Sequence, residues 1–305
     1  MKLLIVAGVA SLSCAALVAA CSSSSNKGSG GGGDSGTEGE GGKDGGGEGS
    51  SSGGGKVYAG TITATRTPTG TTTVYTISGA FITTPDVSIP DASAAATCPT
   101  TGTVSGGCCF VPAAAPSDAG ATDAGTVTFD SAGTITVTDG TTAIASLMPA
   151  SNGGYAISSS NNPSVKWTGG DTLTIAAAGA AVGAFSGTLV TVPDFAGLTP
   201  MLSFTSPTTV PLATDFAVKW TPGTGTDVRL FVDALKGTTQ EGAITCDAAD
   251  SAGTVSVPAA LLAKFATGDT GLITLTRSNV STATDANTTV DLLSTTSTGG
   301  AAKFQ

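Results

Sequence analysis

The chain has 305 residues, a formal net charge of −10 and no histidine. The missing imidazole excludes Ser-His-Asp and Cys-His nucleophile arrangements, histidine-held metals and the usual general base near neutral pH. Acids outnumber bases, 22 against 12, and no Lys/Arg cluster is present to neutralise phosphates, so nucleic acid is not an expected partner.

The first predicted element is a secretory signal. Lys2 precedes an apolar stretch from Leu3 to Ala20 that is lightened by Ser11, Ser13 and Cys14. The stretch is too short and too weak for a good membrane span, and small residues lead up to Cys21. The tetrad Val18-Ala19-Ala20-Cys21 resembles the bacterial lipobox, in which the cysteine is acylated and becomes the first mature residue. Each buried methylene contributes about 0.8 kcal/mol, so the several acyl tails that the resemblance implies on Cys21 anchor stably without a spanning helix. Ser22 follows, where an aspartate would resemble an inner-membrane retention signal, so the outer membrane is the expected address.

Residues 22–55 are nearly all Gly and Ser, punctuated by Lys27, Asp34, Glu38, Glu40, Lys43, Asp44 and Glu48, with no aromatic or branched aliphatic residue. Such a segment cannot bury enough surface to offset backbone ordering and is expected to be a disordered tether. Its root-mean-square reach is about 30 Å, and roughly 110 Å at full extension.

From Lys56 onward Thr and Val recur in alternation while helix-favouring residues are few, which predicts an all-β fold. The first series of period-two stretches covers 57–66, 71–82, 125–140, 171–179 and 184–192, with turn signals at Asp130 to Gly133 and at Asp139-Gly140. The second covers 202–207, 215–223, 227–235, 242–250, 253–258, 271–279 and 288–294, the count and spacing of an immunoglobulin-like sandwich. Between its fifth and sixth strands, Leu261, Leu262 and Phe265 follow Pro258 at helical spacing and predict a short helix.

The stretches "AGTITVTDGTT", "GDTLTIAAAGAAVGAFSGTL" and "FAVKWTPGTGTDVRLFV...ITCDAADSAGTVSVPAALL" resemble a tandem β arrangement seen in lipoproteins of Gram-negative bacteria. The resemblance covers most of residues 57–296 and implies fold and location, without an active site.

Four cysteines remain beyond the anchor: Cys98, Cys108, Cys109 and Cys246. An exported chain meets an oxidising compartment, so an even number favours disulfides. The vicinal pair is expected to go to different partners, one to Cys98 and the other to Cys246, clamping two domains together. A zinc site is disfavoured because the pattern lacks a compact C-x2-C pair.

Carboxylates are what is left for chemistry. Beyond the spacer stands a single glutamate, Glu241. Asp269-Thr270-Gly271 looks like half of an aspartic-protease site, which needs a second aspartate to share one proton, and the sequence offers no clear second copy. A turn leading into a strand accounts for it. Asp118 and Asp123, and Asp247 and Asp250, are weak calcium candidates without the spacing of an EF-hand loop. Trp167, with Tyr155 not far before it, is the candidate for an exposed ligand platform, whereas Trp220 sits where a sandwich core tryptophan would.

The expected organisation is a signal peptide over 1–20, a lipidated Cys21 with its tether to 55, and an N-terminal β domain over 56–196. An immunoglobulin-like sandwich over 197–296 and a flexible tail over 297–305 follow. No catalytic residue, metal or cofactor is expected. The expected role is that of a membrane-anchored surface protein that binds, adheres or supports, with a glycan or protein as ligand; the rivals are an aspartate-dependent surface hydrolase and a calcium-stabilised adhesin-like module. The anchor places it on the outer membrane, on the periplasmic face or the cell surface.

Overall fold

A computed structural model describes residues 57–69, 72–83, 98–113, 129–285 and 287–305. The signal segment, Cys21, the spacer, and Asp118 and Asp123 lie outside the described residues.

Strands run β1 Tyr58–Thr69, β2 Thr72–Thr83, β3 Thr103–Ser105, β4 Cys108–Pro112, β5 Ile135–Asp139, β6 Thr142–Leu147, β7 Tyr155–Ser158, β8 Thr172–Ala177 and β9 Phe185–Val190. They continue with β10 Thr208–Val210, β11 Phe216–Lys219, β12 Asp227–Lys236, β13 Thr239–Ala249, β14 Thr254–Val257, β15 Thr270–Asp285 and β16 Thr288–Phe304. Among the described residues a single short helix, α1, spans Ala259–Leu262. Its Leu261 and Leu262 are buried, as is Phe265 beyond it, and its first turn is held by Asp215, whose Oδ1 accepts from the Ala259 amide at 2.8 Å.

One ten-stranded sheet carries the molecule, in the order β3-β4-β13-β12-β15-β16-β1-β2-β7, with β10 also on β16. Most neighbours are antiparallel, but β1 lies parallel to β16, with Tyr58 opposite Thr288 and Arg66 opposite Thr296. The sheet is polar or mixed on one face and apolar on the other because the side chains alternate. In β12, Val228, Leu230, Val232 and Ala234 are buried, while Arg229, Phe231 and Asp233 face outward. Two smaller sheets, β6-β5-β8-β9 and β11-β14, cover the apolar face.

That arrangement makes two hydrophobic cores. The first joins Ile62, Ile77, Phe81, Ile135, Ile175 and Leu189 to Val290 and Leu292 of β16 and Ala283 of β15. The second joins Val218, Leu230, Ile244, Val257, Leu275 and Phe304 to Cys108 and Phe110 of β4. Each half of the chain therefore donates strands to the other's core. The hairpin of β15 and β16 is long enough to serve both. Close approach of β9 to this hairpin requires Gly187, because a β-carbon there would stand 2.8 Å from both Ala283 Cβ and Leu292 Cδ1. Side chains from β15 then take up the outlying carbonyls of β9: Asn279 Nδ2 donates to the Val190 oxygen at 2.9 Å and Ser281 Oγ to that of Thr188.

Several expectations are corrected. The division expected at 196/197 separates neither cores nor strands: the first core takes Ala283, Val290 and Leu292 and the second takes Cys108 and Phe110 from across it, and backbone pairing ties β1 to β16 and β4 to β13. Residues 297–304 are the last part of β16 rather than a flexible tail, because Ala302 and Phe304 have the phase that points into the second core. The turn at Asp139-Gly140 joins β5 to β6, with Gly140 at φ 56°. Around Asp130 to Gly133, by contrast, residues 129–134 form no strand, and the expected first arm at 125–128 lies outside the described residues. There the Tyr155 hydroxyl accepts from the Ala132 amide at 2.9 Å and donates to the Gly133 carbonyl at 2.8 Å, replacing a strand partner.

Candidate functional site

The aromatic platform is not open. Trp167 is 5% exposed and Tyr155 4%. Tyr155 is drawn inward because its hydroxyl finds backbone partners and its ring meets Phe81 edge-on at 5.7 Å. Trp167 packs edge-on against Tyr75 at 4.9 Å. Two buried donors, Trp167 Nε1 and Arg66 Nε, have no hydrogen-bond partner among the described residues, and both side chains border the Tyr75 ring, with the Arg66 guanidinium carbon 5.9 Å from its centroid. Trp220, expected in the core, is buried in the second one.

The structure does not bring Asp247 and Asp250 together as a calcium pair. Asp247 lies on the outward face and holds Arg229 with two contacts, Nε to Oδ1 at 2.7 Å and Nη2 to Oδ2 at 3.3 Å. Asp250 opens a 3-10 turn over Asp250–Ala252 and is fully buried. Its Oδ1 accepts from Trp220 Nε1 at 2.8 Å and Arg277 Nε at 3.0 Å, and its Oδ2 from the amides of Gly223 and Gly225 at 2.8 and 3.2 Å. Both oxygens are consumed by the fold. Arg277 in turn donates to the carbonyls of Pro193, Asp194 and Thr221, and its guanidinium carbon lies 4.5 Å over the Phe195 ring.

Arginine 277 was legible in principle. In "GLITLTRSN" it continues the phase of Ile273 and Leu275, so an alternating strand places a guanidinium at a core position. That pattern calls for a buried carboxylate partner. Nothing in the sequence says that the partner is Asp250.

Two carboxyl pairs also form that sequence reading did not foresee. Asp269, 6% exposed, accepts the Ala266 amide at 2.8 Å and lies beside Glu241. Burial pushes the Glu241 carboxyl above its ordinary pKa, the hydrogen bond and repulsion from Asp269 push it the same way, and Lys236 opposes them. Asp139 is likewise raised, by burial first and then by Asp171, whose Oδ2 holds the Thr168 amide at 2.6 Å. A cleft of about 360 Å³ is lined by Tyr58, Ala180, Ala181, Gly183, Asp285, Asn287 and Thr288, and Asp285 is its one carboxylate. The carboxyl pairs and this cleft do not coincide.

The cysteines pair as Cys98 with Cys109 and Cys108 with Cys246. Cys108 sits directly opposite Cys246 across β4 and β13, so the bridge lies in the register of the sheet.

No protein-family model matches the chain, and no curated protein matches it as a relative.

Proposed function

We propose that this protein is a non-catalytic, lipid-anchored outer-membrane lipoprotein whose β-sheet body serves a binding, adhesive or structural role. The observation that carries this reading is Val18-Ala19-Ala20-Cys21 followed by a Gly/Ser spacer and a disulfide-bonded β body. Acylation of Cys21 tethers the body while the spacer lets it stand clear of headgroups. Both bridges suit an oxidising compartment. The immunoglobulin-like comparison attaches to the second core, where β11 and β14 face β12, β13, β15 and β16.

Accessibility on whole cells tests it. Full chain with Cys21 intact is compared with Cys21→Ser, and protease is added from outside. Release of the Cys21→Ser protein from the membrane fraction is the expected result. Digestion of the anchored form directs the search to adhesion and external ligands, and protection until the outer membrane is opened directs it to an envelope-structural role. Unchanged membrane association of Cys21→Ser overturns the anchor.

A second reading, an aspartate-dependent surface hydrolase, draws on Asp269 of the Asp-Thr-Gly stretch lying beside Glu241. It is the weaker reading because such chemistry needs a cleft that seats substrate between the two carboxyls. The calcium-stabilised alternative loses Asp247 and Asp250 to arginines. An increase in melting temperature in excess calcium over chelator would restore it.

A further inference from the structure

The outward face of the sheet over the second core carries an unusual grouping. Phe231 on β12 is 36% exposed and Leu272 on β15 is 41% exposed. Asp233 projects between them, since it lies two residues from Phe231 on the same face and directly opposite Leu272. Ala243 of β13 stands on its other side, and Ala301 of β16 stands beyond Leu272. Small neighbours leave the Phe231 and Leu272 side chains raised above a flat surface.

Within this patch the charge is unbalanced. Arg229, two residues from Phe231, is already held by Asp247. Among the described residues no lysine or arginine forms an ion pair with Asp233. Its Oδ1 accepts the Leu272 amide at 2.6 Å, which fixes the carboxylate in place, and burial among the apolar neighbours raises its pKa above the ordinary value. Covering Phe231 and Leu272 with an apolar partner would strand this carboxylate at high cost unless the partner brought a cation. A second copy of the chain suits the patch poorly, because both copies carry a net charge of −10, and the cation that this face itself offers, the exposed Lys303 opposite Thr270, lies two strands from Asp233.

Position supports an outward-facing role. The chain enters the sheet at Tyr58, opposite Thr288, whereas Leu272 pairs with Ala301 near the other end of β16. At about 3.3 Å per residue the two are roughly 40 Å apart along that strand. This placement rests on the anchored reading, in which the segment before Tyr58 leads to the membrane.

We propose that Phe231, Asp233 and Leu272 form a docking surface for a protein partner that inserts a lysine or arginine side chain between apolar residues. Phe231 and Leu272 supply the desolvated rim, and Asp233 supplies the fixed acceptor at its centre.

The test uses the full, anchored chain in its own cells, with p-benzoylphenylalanine replacing Phe231 or, as a control on the same sheet face, Thr63. Light-induced adducts are mapped by mass spectrometry. The proposal expects an adduct from position 231 only, located on a protein segment with Lys or Arg beside apolar residues, and at least tenfold weaker with Asp233→Asn. That variant retains an oxygen for the Leu272 amide, and Leu272→Thr gives an independent second loss. An adduct to a second copy of this chain, an adduct to glycan, no adduct, or an adduct indifferent to Asp233→Asn each overturns it. Membrane fractionation of Cys21→Ser, run in parallel, reports on the anchor alone, so a failed anchor with an Asp233-dependent adduct separates the two readings.

Discussion

Asp250 and Arg277 meet as an ion pair at 3.0 Å with 0% and 1% of their side chains exposed, where the segment Pro193 to Phe195 closes over the guanidinium. Three backbone carbonyls and the Phe195 face complete the guanidinium's surroundings, and Trp220 with two amides completes the carboxylate's. A pair satisfied on all sides fixes geometry, and breaking it from one side leaves a charge that nothing balances. Arg277→Met is expected to cost about 3–5 kcal/mol, read as a fall in the urea midpoint. Since both cores share the β15–β16 hairpin, fluorescence of Trp167 in the first and Trp220 in the second is expected to report one common transition. Separate midpoints would show that the cores are energetically independent.

The bridge from Cys108 to Cys246 spans 138 residues and that from Cys98 to Cys109 only 11. Closing a longer loop restricts the unfolded chain more. Replacing Cys108 and Cys246 together by Ser is therefore expected to lower stability by about 2–5 kcal/mol, and to lower it more than the same change at Cys98 and Cys109. Calorimetry of the two variants checks the order, and a non-reduced digest must yield both linked peptides.

Phe304, next to the end of the chain, is fully buried and packs on Phe265 at 4.9 Å between ring centres. Phe304→Ala is expected to cost about 3–5 kcal/mol, as for other large-to-small changes in a core, measured by chemical denaturation. A loss below 1 kcal/mol would mean that the end of β16 contributes little to the core.

Raised carboxyl pKa values at Glu241, Asp233 and Asp139 fix the sign of a pH effect. Each holds its proton more tightly when folded, so the folded state binds more protons just above the ordinary carboxyl range near pH 4. Their contribution is present at low pH and is lost as pH rises through the raised values. Glu241→Gln keeps a donor for Asp269 while removing the repulsion, so it is expected to raise the melting temperature at pH 7 and to flatten its pH dependence on the acid side. An unchanged slope between wild type and variant would show that Glu241 does not carry this pH dependence.

Period-two alternation was enough to place most strands. It located β1, β2, β8, β9 and β11 through β16, because a half-buried sheet writes its phase into Thr/Val spacing. The strands that it missed, β3, β4, β6, β7 and β10, are short or begin with the vicinal cysteines, where alternation has no length in which to declare itself, and the stretch 202–207 that it read as a strand lies just before β10 and forms no strand. The helix after Pro258 and the division of the cysteine partners were legible for similarly local reasons. Trp167 and Tyr155 were misplaced because a ring near turn residues looks exposed until its packing partners, Tyr75 and Phe81, are known.

What the sequence by itself determined is thus the set of local facts: a Val18-Ala19-Ala20-Cys21 tetrad that resembles a lipobox, a Gly/Ser-rich segment after it, a β-rich body and a cysteine pair that must divide its partners. Tertiary structure alone decided which strands meet: β16 beside β1, β4 beside β13, Asp250 against Arg277, and Asp233 between Phe231 and Leu272 with no ion pair among the described residues. The reason is physical. Alternation and turn chemistry act within a few residues, whereas strand pairing between distant segments is selected by the burial and charge balance of the whole assembly, which no single stretch of sequence encodes.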